Sequence, residues 1–173
     1  MNDYVILVDE NDKSFGLMPK LEAHQRGSMH RAFSVFIFNN KGELMLQKRA
    51  DTKYHSGGLW TNTCCSHPRF DKVLEKEAVL RLQEEMGLVC ELKSVFTFHY
   101  QASLDNKLFE NEVDHVFFGI TDVLPIINPA EVQDWKYIDL QTLATDIQKN
   151  PAQYTAWLKI CFERVFQEFI KMR

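Results

Sequence analysis

The chain has 173 residues, of which 45% are hydrophobic, and a formal net charge of −4. This size and composition predict one domain over residues 1–173 with one core, and the charge argues against a nucleic-acid partner, which requires a clustered basic surface. No apolar run approaches the roughly 20 residues of a membrane-spanning helix, and the first residues lack the positive segment of a signal peptide. We therefore expect a cytoplasmic protein that has no membrane partner.

The first predicted elements are a strand at residues 4–8, a polar turn at 9–14 and a short helix that starts at Pro19 and runs towards His24. Residues 32–38 and 43–48 then alternate or are apolar, as strands do, and a turn that ends in Gly42 separates them. This pattern predicts an antiparallel hairpin.

A helix is predicted between residues 71 and 87. Its apolar residues recur at every fourth position, and Gly87 stands where a glycine commonly ends a helix. These apolar residues are Leu74, Ala78, Leu82 and Met86. Glu77, Arg81 and Glu85 form a different, charged stripe.

Residues 92–100 and 110–120 are rich in β-branched and aromatic residues and are predicted to be strands, followed by a connector at 122–129. Asp139 can cap one helix, and the pair Asn150-Pro151 is predicted to open a last helix that runs almost to Arg173. Strands surrounded by helices in this order predict an α+β fold, an α/β/α sandwich with a mixed β-sheet flanked by helices.

A set of imidazoles and carboxylates is a candidate metal site. Glu110 and Glu112 lie on one face of a predicted strand, roughly 7 Å apart at the backbone, and His24, His30 and His67 are candidate nitrogen ligands. Such a mixed set suits Mn²⁺ or Zn²⁺, or Mg²⁺ at lower nitrogen content. Taken singly, each of these residues is better explained as a surface or satisfied core residue than as a metal ligand.

The end of the predicted helix, Glu84-Glu85-Met86-Gly87-Leu88, resembles the second half of the Nudix box, whose paired glutamates hold a divalent ion against a diphosphate. The first half departs from that box, because Ser66, Lys72 and Leu80-Arg81 replace its glycine, its upstream glutamate and its Arg-Glu pair. The resemblance implies a Nudix fold with a degraded hydrolytic set, in which Glu85 keeps a metal-binding role.

The segment GLWTNTCCSHP at residues 58–68 resembles the W-T-N-x-x-C-x-H-P signature of type 1 isopentenyl diphosphate isomerases, which are Nudix-superfamily enzymes. The resemblance extends over nearly the whole chain, through these further positions: Lys20, His24, His30 to Ser34, Lys48 to Ala50, Lys53, Glu84 to Gly87, Tyr100, Glu110 to Val113 and Trp157.

This resemblance implies a role for each matching residue. Cys65 and Glu112 would be the catalytic pair, with Tyr100 and Trp157 at the prenyl pocket. The diphosphate would contact Lys20, Arg49, Lys53 and Arg81. The Mn²⁺ or Zn²⁺ site would comprise His24, His30, His67, Glu110 and Glu112, and Glu85 would bind Mg²⁺ together with the substrate diphosphate.

The implied reaction interconverts isopentenyl and dimethylallyl diphosphate in isoprenoid biosynthesis, by adding a proton on one face and removing another on the opposite face. It leaves open whether Cys65 or Glu112 is the acid in the forward direction. Trp60, Tyr100 and Trp157 are candidates to face the developing cation. The motif spacing selects Cys65 over Cys64, since neighbours on an extended segment point to opposite sides.

Two other functions remain to be weighed. The Glu84-to-Gly87 half-box alone would fit a Nudix pyrophosphohydrolase, and the histidines alone would fit a non-catalytic metal-binding domain. The partner we expect is a small prenyl diphosphate, and we expect a monomer or a weak dimer.

Overall fold

The computed structural model describes residues 4–173. The described strands are β1 (Tyr4–Val8), β2 (Ser14–Pro19), β3 (His30–Phe38), β4 (Leu44–Arg49), β5 (Trp60–Thr61), β6 (Cys64–Ser66), β7 (Lys93–Ser103), β8 (Phe109–Ile120) and β9 (Val132–Ile138). The helices in this part of the chain are α1 (Lys20–Arg26), α2 (Leu74–Met86), α3 (Leu140–Lys149) and α4 (Ala156–Met172).

Strand β3 is the centre of a mixed sheet. It runs parallel to β8 along one edge, from the pair His30 and Glu112 to the pair Phe38 and Ile120. Its other edge pairs antiparallel with β1, β6 and β4 in turn. β7 continues the sheet beyond β8, and β9 continues it beyond β4.

The alternation of β3 places a hydrophobic core on each side of the sheet. Phe36 and Phe38 pack with α3 and α4 on one side, whereas Val35 and Ile37 pack with α2 on the other. Helices therefore cover both faces, which confirms the predicted α+β sandwich. Within residues 4–173, no helix is both long and apolar enough to cross a bilayer.

Most predicted boundaries are close to the observed ones. The turn of the β3–β4 hairpin contains Gly42 at φ 85°, and α2 ends at Gly87, whose φ is 65°. Asp139 caps α3 by accepting a hydrogen bond from the Thr142 amide at 2.9 Å. β2 and β9 were not predicted: β2 is almost wholly exposed, and β9 contains three charged or amide side chains.

The prediction that the last helix opens at Asn150-Pro151 is wrong. Pro151 starts a single 3₁₀ turn, and α4 begins only at Ala156. The intervening Tyr154 has an extended backbone that forms a β-bridge to Trp60, and the Thr155 amide donates to the Trp60 carbonyl at 3.0 Å. This strand-like contact interrupts the helix and ties the start of α4 to β5.

Candidate active site

A cleft of about 510 Å³ opens beside the start of β3 and is lined by residues from α1, β3, β6, β7, β8 and α4. Most of the residues predicted for the site line it, namely Lys20, Arg49, Lys53, Cys65, His67, Arg81, Tyr100, Glu110, Glu112 and Trp157. His24, His30 and Glu85 are buried behind this lining. The fold thus gathers residues that are up to 137 positions apart in the chain, from Lys20 to Trp157.

The two adjacent cysteines point to opposite sides of β6. Cys65 pairs with Ser34 of β3 and lines the cleft, whereas Cys64 is fully buried in the core beneath α2. Burial raises the pKa of the Cys65 thiol to about 12, although the nearby Arg49 opposes the shift. Cys65 is therefore a protonated thiol at neutral pH.

Glu112 is held from two directions. The hydroxyl of Tyr100, its register partner on β7, donates to Glu112 Oε2 at 2.7 Å, and Glu112 Oε1 lies 2.8 Å from His67 Nε2 and 3.3 Å from His30 Nε2. Burial alone would raise the pKa of the Glu112 carboxyl, but the contacts with His30 and His67 outweigh it and hold this pKa well below its ordinary value. Glu112 is thus a carboxylate at neutral pH.

Three imidazoles converge on the two glutamates. Nδ1 of His24 contacts the Lys20 carbonyl at 2.7 Å, and Nδ1 of His30 contacts the Ser28 carbonyl at 2.8 Å. A carbonyl can only accept, so each Nδ1 carries the proton and each Nε2 presents a lone pair to the centre. Burial also lowers the pKa of His67 to about 4. Neutral imidazoles are the form that binds metal ions.

Two buried polar atoms in this centre make no hydrogen bond. His24 Nε2 and Glu110 Oε2 lie 3.3 Å apart, yet neither has a hydrogen-bond partner. Burial and the neighbouring Glu112 raise the pKa of Glu110 well above its ordinary value. Unpartnered atoms of two ligand types, next to Nε2 of His30 and of His67, fit a divalent first-row cation.

A fourth histidine, His55, was missed by the sequence analysis. It lies in the loop between β4 and β5, is 5% exposed, and places Nε2 3.7 Å from Glu110 Oε1. Among residues 4–173, ligand atoms cluster within 4.8 Å in two groups: His24, His30, His67 and Glu112, and His24, His55 and Glu110. The available signal was weak, because His55 lies outside any motif or periodic segment.

The four predicted basic residues all reach the cleft, but their partners differ. Arg49 is 7% exposed and donates to the carbonyls of His55 and Ser56. Lys53 and Arg81 both pair with Glu131, which the sequence analysis did not identify. The ammonium of Lys20 lies 5.0 Å from the centre of the Tyr54 ring.

Glu85 is placed by α2 behind Arg81. Its Oε1 lies 2.8 Å from Arg81 Nη2, and its Oε2 accepts from Gln47 Nε2 at 2.8 Å. Arg81 also pairs with the exposed Glu84. The carboxylates of Glu84 and Glu85 are therefore partly neutralised by Arg81, which stands where the Nudix box has a glutamate.

The two candidate tryptophans differ in position. Trp157 lines the cleft, donates its indole N–H to Asn62 Oδ1 at 3.1 Å, and carries the Arg49 guanidinium 5.2 Å from its ring centre. Trp60 does not line this cleft, and Lys136 lies 4.3 Å from its ring centre. The expectation that Trp60 could face the cleft is wrong, because β5 directs its ring towards β9.

Comparisons with known proteins agree with this fold. Residues 28–158 match the NUDIX domain family. The "Isopentenyl-diphosphate Delta-isomerase 2" of Aromatoleum aromaticum is 53% identical over 165 residues, which cover 95% of this chain and 87% of that protein. The "Isopentenyl-diphosphate Delta-isomerase" of Pectobacterium atrosepticum is 50% identical over 161 residues, covering 93% and 90%.

A solved structure shares the fold at low identity. The crystal structure of DR0079 from Deinococcus radiodurans superposes with a TM-score of 0.78 at 15% identity, and covers 93% of this chain and 98% of that one. A similarity at this identity supports the fold alone.

The raised pKa of Cys65 predicts how this thiol reacts with iodoacetamide, since only the thiolate is alkylated. In a Cys90→Ser background, which removes the other partly exposed cysteine, the alkylation rate should keep rising about tenfold per pH unit beyond the ordinary cysteine pKa of about 8.5. Mass spectrometry of the modified peptide measures this rate. A plateau near pH 8.5 would contradict the assignment of Cys65 as a buried thiol.

Proposed function

We propose that this chain, which belongs to the isopentenyl-diphosphate Delta-isomerase family of Nudix-superfamily proteins, interconverts isopentenyl diphosphate and dimethylallyl diphosphate. One C–H bond forms at the terminal alkene carbon, one C–H bond breaks two carbons away, and the double bond moves between them. No oxidant or reductant is needed, because the reaction only adds one proton and removes another.

The observation that carries this proposal is the position of two proton carriers on either side of one strand. Cys65 belongs to β6 on one edge of β3, and Glu112 belongs to β8 on the other edge. Both side chains line the same cleft. An alkene held between them can receive a proton on one face and lose a proton from the opposite face.

The protonation states of the metal-free protein support an assignment of the two roles in the forward direction, which is part of this proposal. Burial keeps the proton on the Cys65 thiol, whereas the contacts with His30 and His67 keep Glu112 ionised. Cys65 therefore donates the proton and Glu112 accepts one. The hydrogen bond from Tyr100 holds Glu112 Oε2 in a fixed orientation, so that the carboxylate does not have to reorganise during the transfer.

The aromatic side chains of the cleft suit a cationic intermediate. Tyr54, Tyr100 and Trp157 contribute aromatic rings to its lining, and rings that displace water protect a carbocation from hydration. The Arg49 guanidinium lies 5.2 Å from the ring centre of Trp157, which supports the proposal that this ring can lie beside positive charge.

The diphosphate end of the substrate would bind where Lys20, Arg49, Lys53 and Arg81 meet at the cleft. Guanidinium and ammonium groups neutralise phosphate oxygens without breaking the C–O bond. Glu85 would hold Mg²⁺ jointly with this diphosphate, because Mg²⁺ is commonly bound by one or two carboxylates and substrate phosphates. When bound, that ion supplies positive charge to the phosphate oxygens.

A second divalent ion, Mn²⁺ or Zn²⁺, would be held by His24, His30, His67, Glu110 and Glu112. The unpartnered His24 Nε2 and Glu110 Oε2 support this assignment. The ion, when bound, would supply charge that offsets two carboxylates buried side by side.

We also propose that residues 1–173 form one functional unit in the cytoplasm, where the four free cysteines would stay reduced.

A product assay tests the reaction. With isopentenyl diphosphate and Mg²⁺, we expect dimethylallyl diphosphate by NMR and no inorganic phosphate by a colorimetric assay. Cys65→Ala should abolish conversion because it removes the proton donor, whereas the matched Cys64→Ala, which removes a thiol that does not line the cleft, should stay active. Phosphate release would instead indicate a Nudix pyrophosphohydrolase, and an active Cys65→Ala variant would mean that the wrong sulfur is assigned.

The two ions should respond to different substitutions. His67→Ala should lower the tightly bound metal and the activity together, because it deletes a ligand of the His/Glu site. Glu85→Gln should leave that metal in place and raise the Mg²⁺ concentration required for half-maximal rate. Elemental analysis and Mg²⁺ titration measure these effects. Loss of the tightly bound ion from Glu85→Gln, or full occupancy in His67→Ala, would contradict the division into two sites.

We expect Trp157 to increase the turnover rate through its π face rather than through its apolar bulk. A desolvated cation–π contact contributes about 2 kcal/mol, so that its loss in Trp157→Leu should slow turnover about thirtyfold. Trp157→Phe keeps a weaker π face and should lose only part of this. Both variants lose the same hydrogen bond to Asn62, so that this loss lowers their stability equally and each variant is a control for the other. Equal activity of the two variants would assign Trp157 to core packing.

A further inference from the structure

His55 is a buried imidazole for which the proposed reaction has no role. Its ring stacks beside His24 with centroids 5.7 Å apart, and its Nε2 approaches Glu110 Oε1 at 3.7 Å. On its other side the ring meets the edge of Trp157, with centroids 5.9 Å apart and planes at 88°. His55 therefore lies between the proposed metal centre and the aromatic wall of the cleft.

The loop that carries His55 is anchored on both sides. Arg49 donates to the carbonyl of His55 at 3.1 Å and to that of Ser56 at 3.2 Å. The amide of Ser56 in turn donates to the Asp105 carboxylate at 3.0 Å. Since Ser56 also adopts a positive φ of 51°, this backbone is held in a specific conformation, and the position of the His55 ring is fixed by it.

The donor atoms argue against a second ion at His55. His24 belongs to both candidate donor groups, but its Nδ1 is committed to the Lys20 carbonyl. Only one ring nitrogen, Nε2, remains, and it can bind one ion. A second ion would be left with His55 and Glu110 as its only donors from these groups, which is fewer than the three protein ligands that transition-metal sites usually have.

The two carboxylate oxygens of Glu110 instead face different histidines, His24 and His55. Oε2 faces His24 Nε2 at 3.3 Å, and Oε1 faces His55 Nε2. The hydroxyl of Ser56 lies 3.2 Å from His55 Nδ1. When this hydroxyl donates to Nδ1, the ring proton resides on Nε2 and points at Glu110 Oε1.

We infer that His55 is a positioning residue for the metal ligand Glu110: its Nε2 faces Oε1 at 3.7 Å, a polar contact that holds this oxygen and leaves Oε2 for the ion that His24 also binds. This inference rests on the proposed His/Glu metal site. Metal-ligating carboxylates are commonly oriented by polar partners outside the ligand set, and the loss of one typically lowers metal affinity about 10–100-fold.

Binding of Mn²⁺ alone to the full-length, metal-depleted protein tests this inference. Titration followed by electron paramagnetic resonance should show about 10–100-fold weaker binding for His55→Ala. His55→Gln should retain most of the affinity, because its amide N–H can take the place of Nε2–H. His99→Ala is the matched control: His99 is exposed on the outer strand β7 and hydrogen-bonds to Asn111, and Mn²⁺ binding should be unchanged.

Substitution with Co²⁺ separates positioning from ligation. The visible spectrum of the Co²⁺ protein reports the ligand set, and it should be the same in wild type and in His55→Gln.

Four results would overturn the inference. Unchanged Mn²⁺ affinity in His55→Ala would leave His55 without a role at the metal. A changed Co²⁺ spectrum in His55→Gln would show that His55 is a metal ligand. A fall from two bound ions to one in His55→Ala would indicate a second ion site. A raised KM with unchanged metal affinity would show that His55 contacts the substrate. Failure of the proposed function is distinguished by the wild type, which would then not isomerise the substrate, whether or not it binds Mn²⁺.

Discussion

Two carboxylates, Glu110 and Glu112, lie on the same face of β8 and are only 4% and 6% exposed. Two like charges in a medium that excludes water are unfavourable unless other groups compensate them. The hydroxyl of Tyr100 and the imidazole of His67 supply part of this compensation at Glu112, and the divalent ion proposed for the His/Glu site would supply the rest. The geometry of the site follows from this requirement.

The central strand β3 positions Glu112, one of these two carboxylates, for the proposed proton transfer. Because β8 and β6 pair with opposite edges of β3, the carboxylate of Glu112 and the thiol of Cys65 reach the same cleft from different sides. Their environments also move the two pKa values apart, and this leaves one group protonated and the other ionised at neutral pH. A single arrangement of strands thus provides both the positions and the protonation states.

Much of this arrangement could be predicted from the sequence, because short-range patterns place neighbouring residues and the resemblance to type 1 isopentenyl diphosphate isomerases connects distant ones. The spacing of Glu110 and Glu112 places both on one strand face, and the extended Cys64-Cys65 pair has only one residue facing the cleft. The features that were missed depend on long-range contacts. A loop without periodicity brings His55 to Glu110. Glu131 pairs with Lys53 and Arg81, which are 78 and 50 positions away. The bridge between Tyr154 and Trp60 sets the start of α4.

The stereochemical course of the reaction tests the central claim, which is that the acid and the base lie on opposite sides of the substrate. The measurement is the conversion in heavy water of isopentenyl diphosphate carrying a stereospecific label at the carbon that loses its proton, followed by NMR analysis of the product. Deuterium added to one face, with the proton lost from the opposite face, is the result that the positions of Cys65 and Glu112 predict. Addition and loss on the same face would contradict it, and would require a single group to carry both protons.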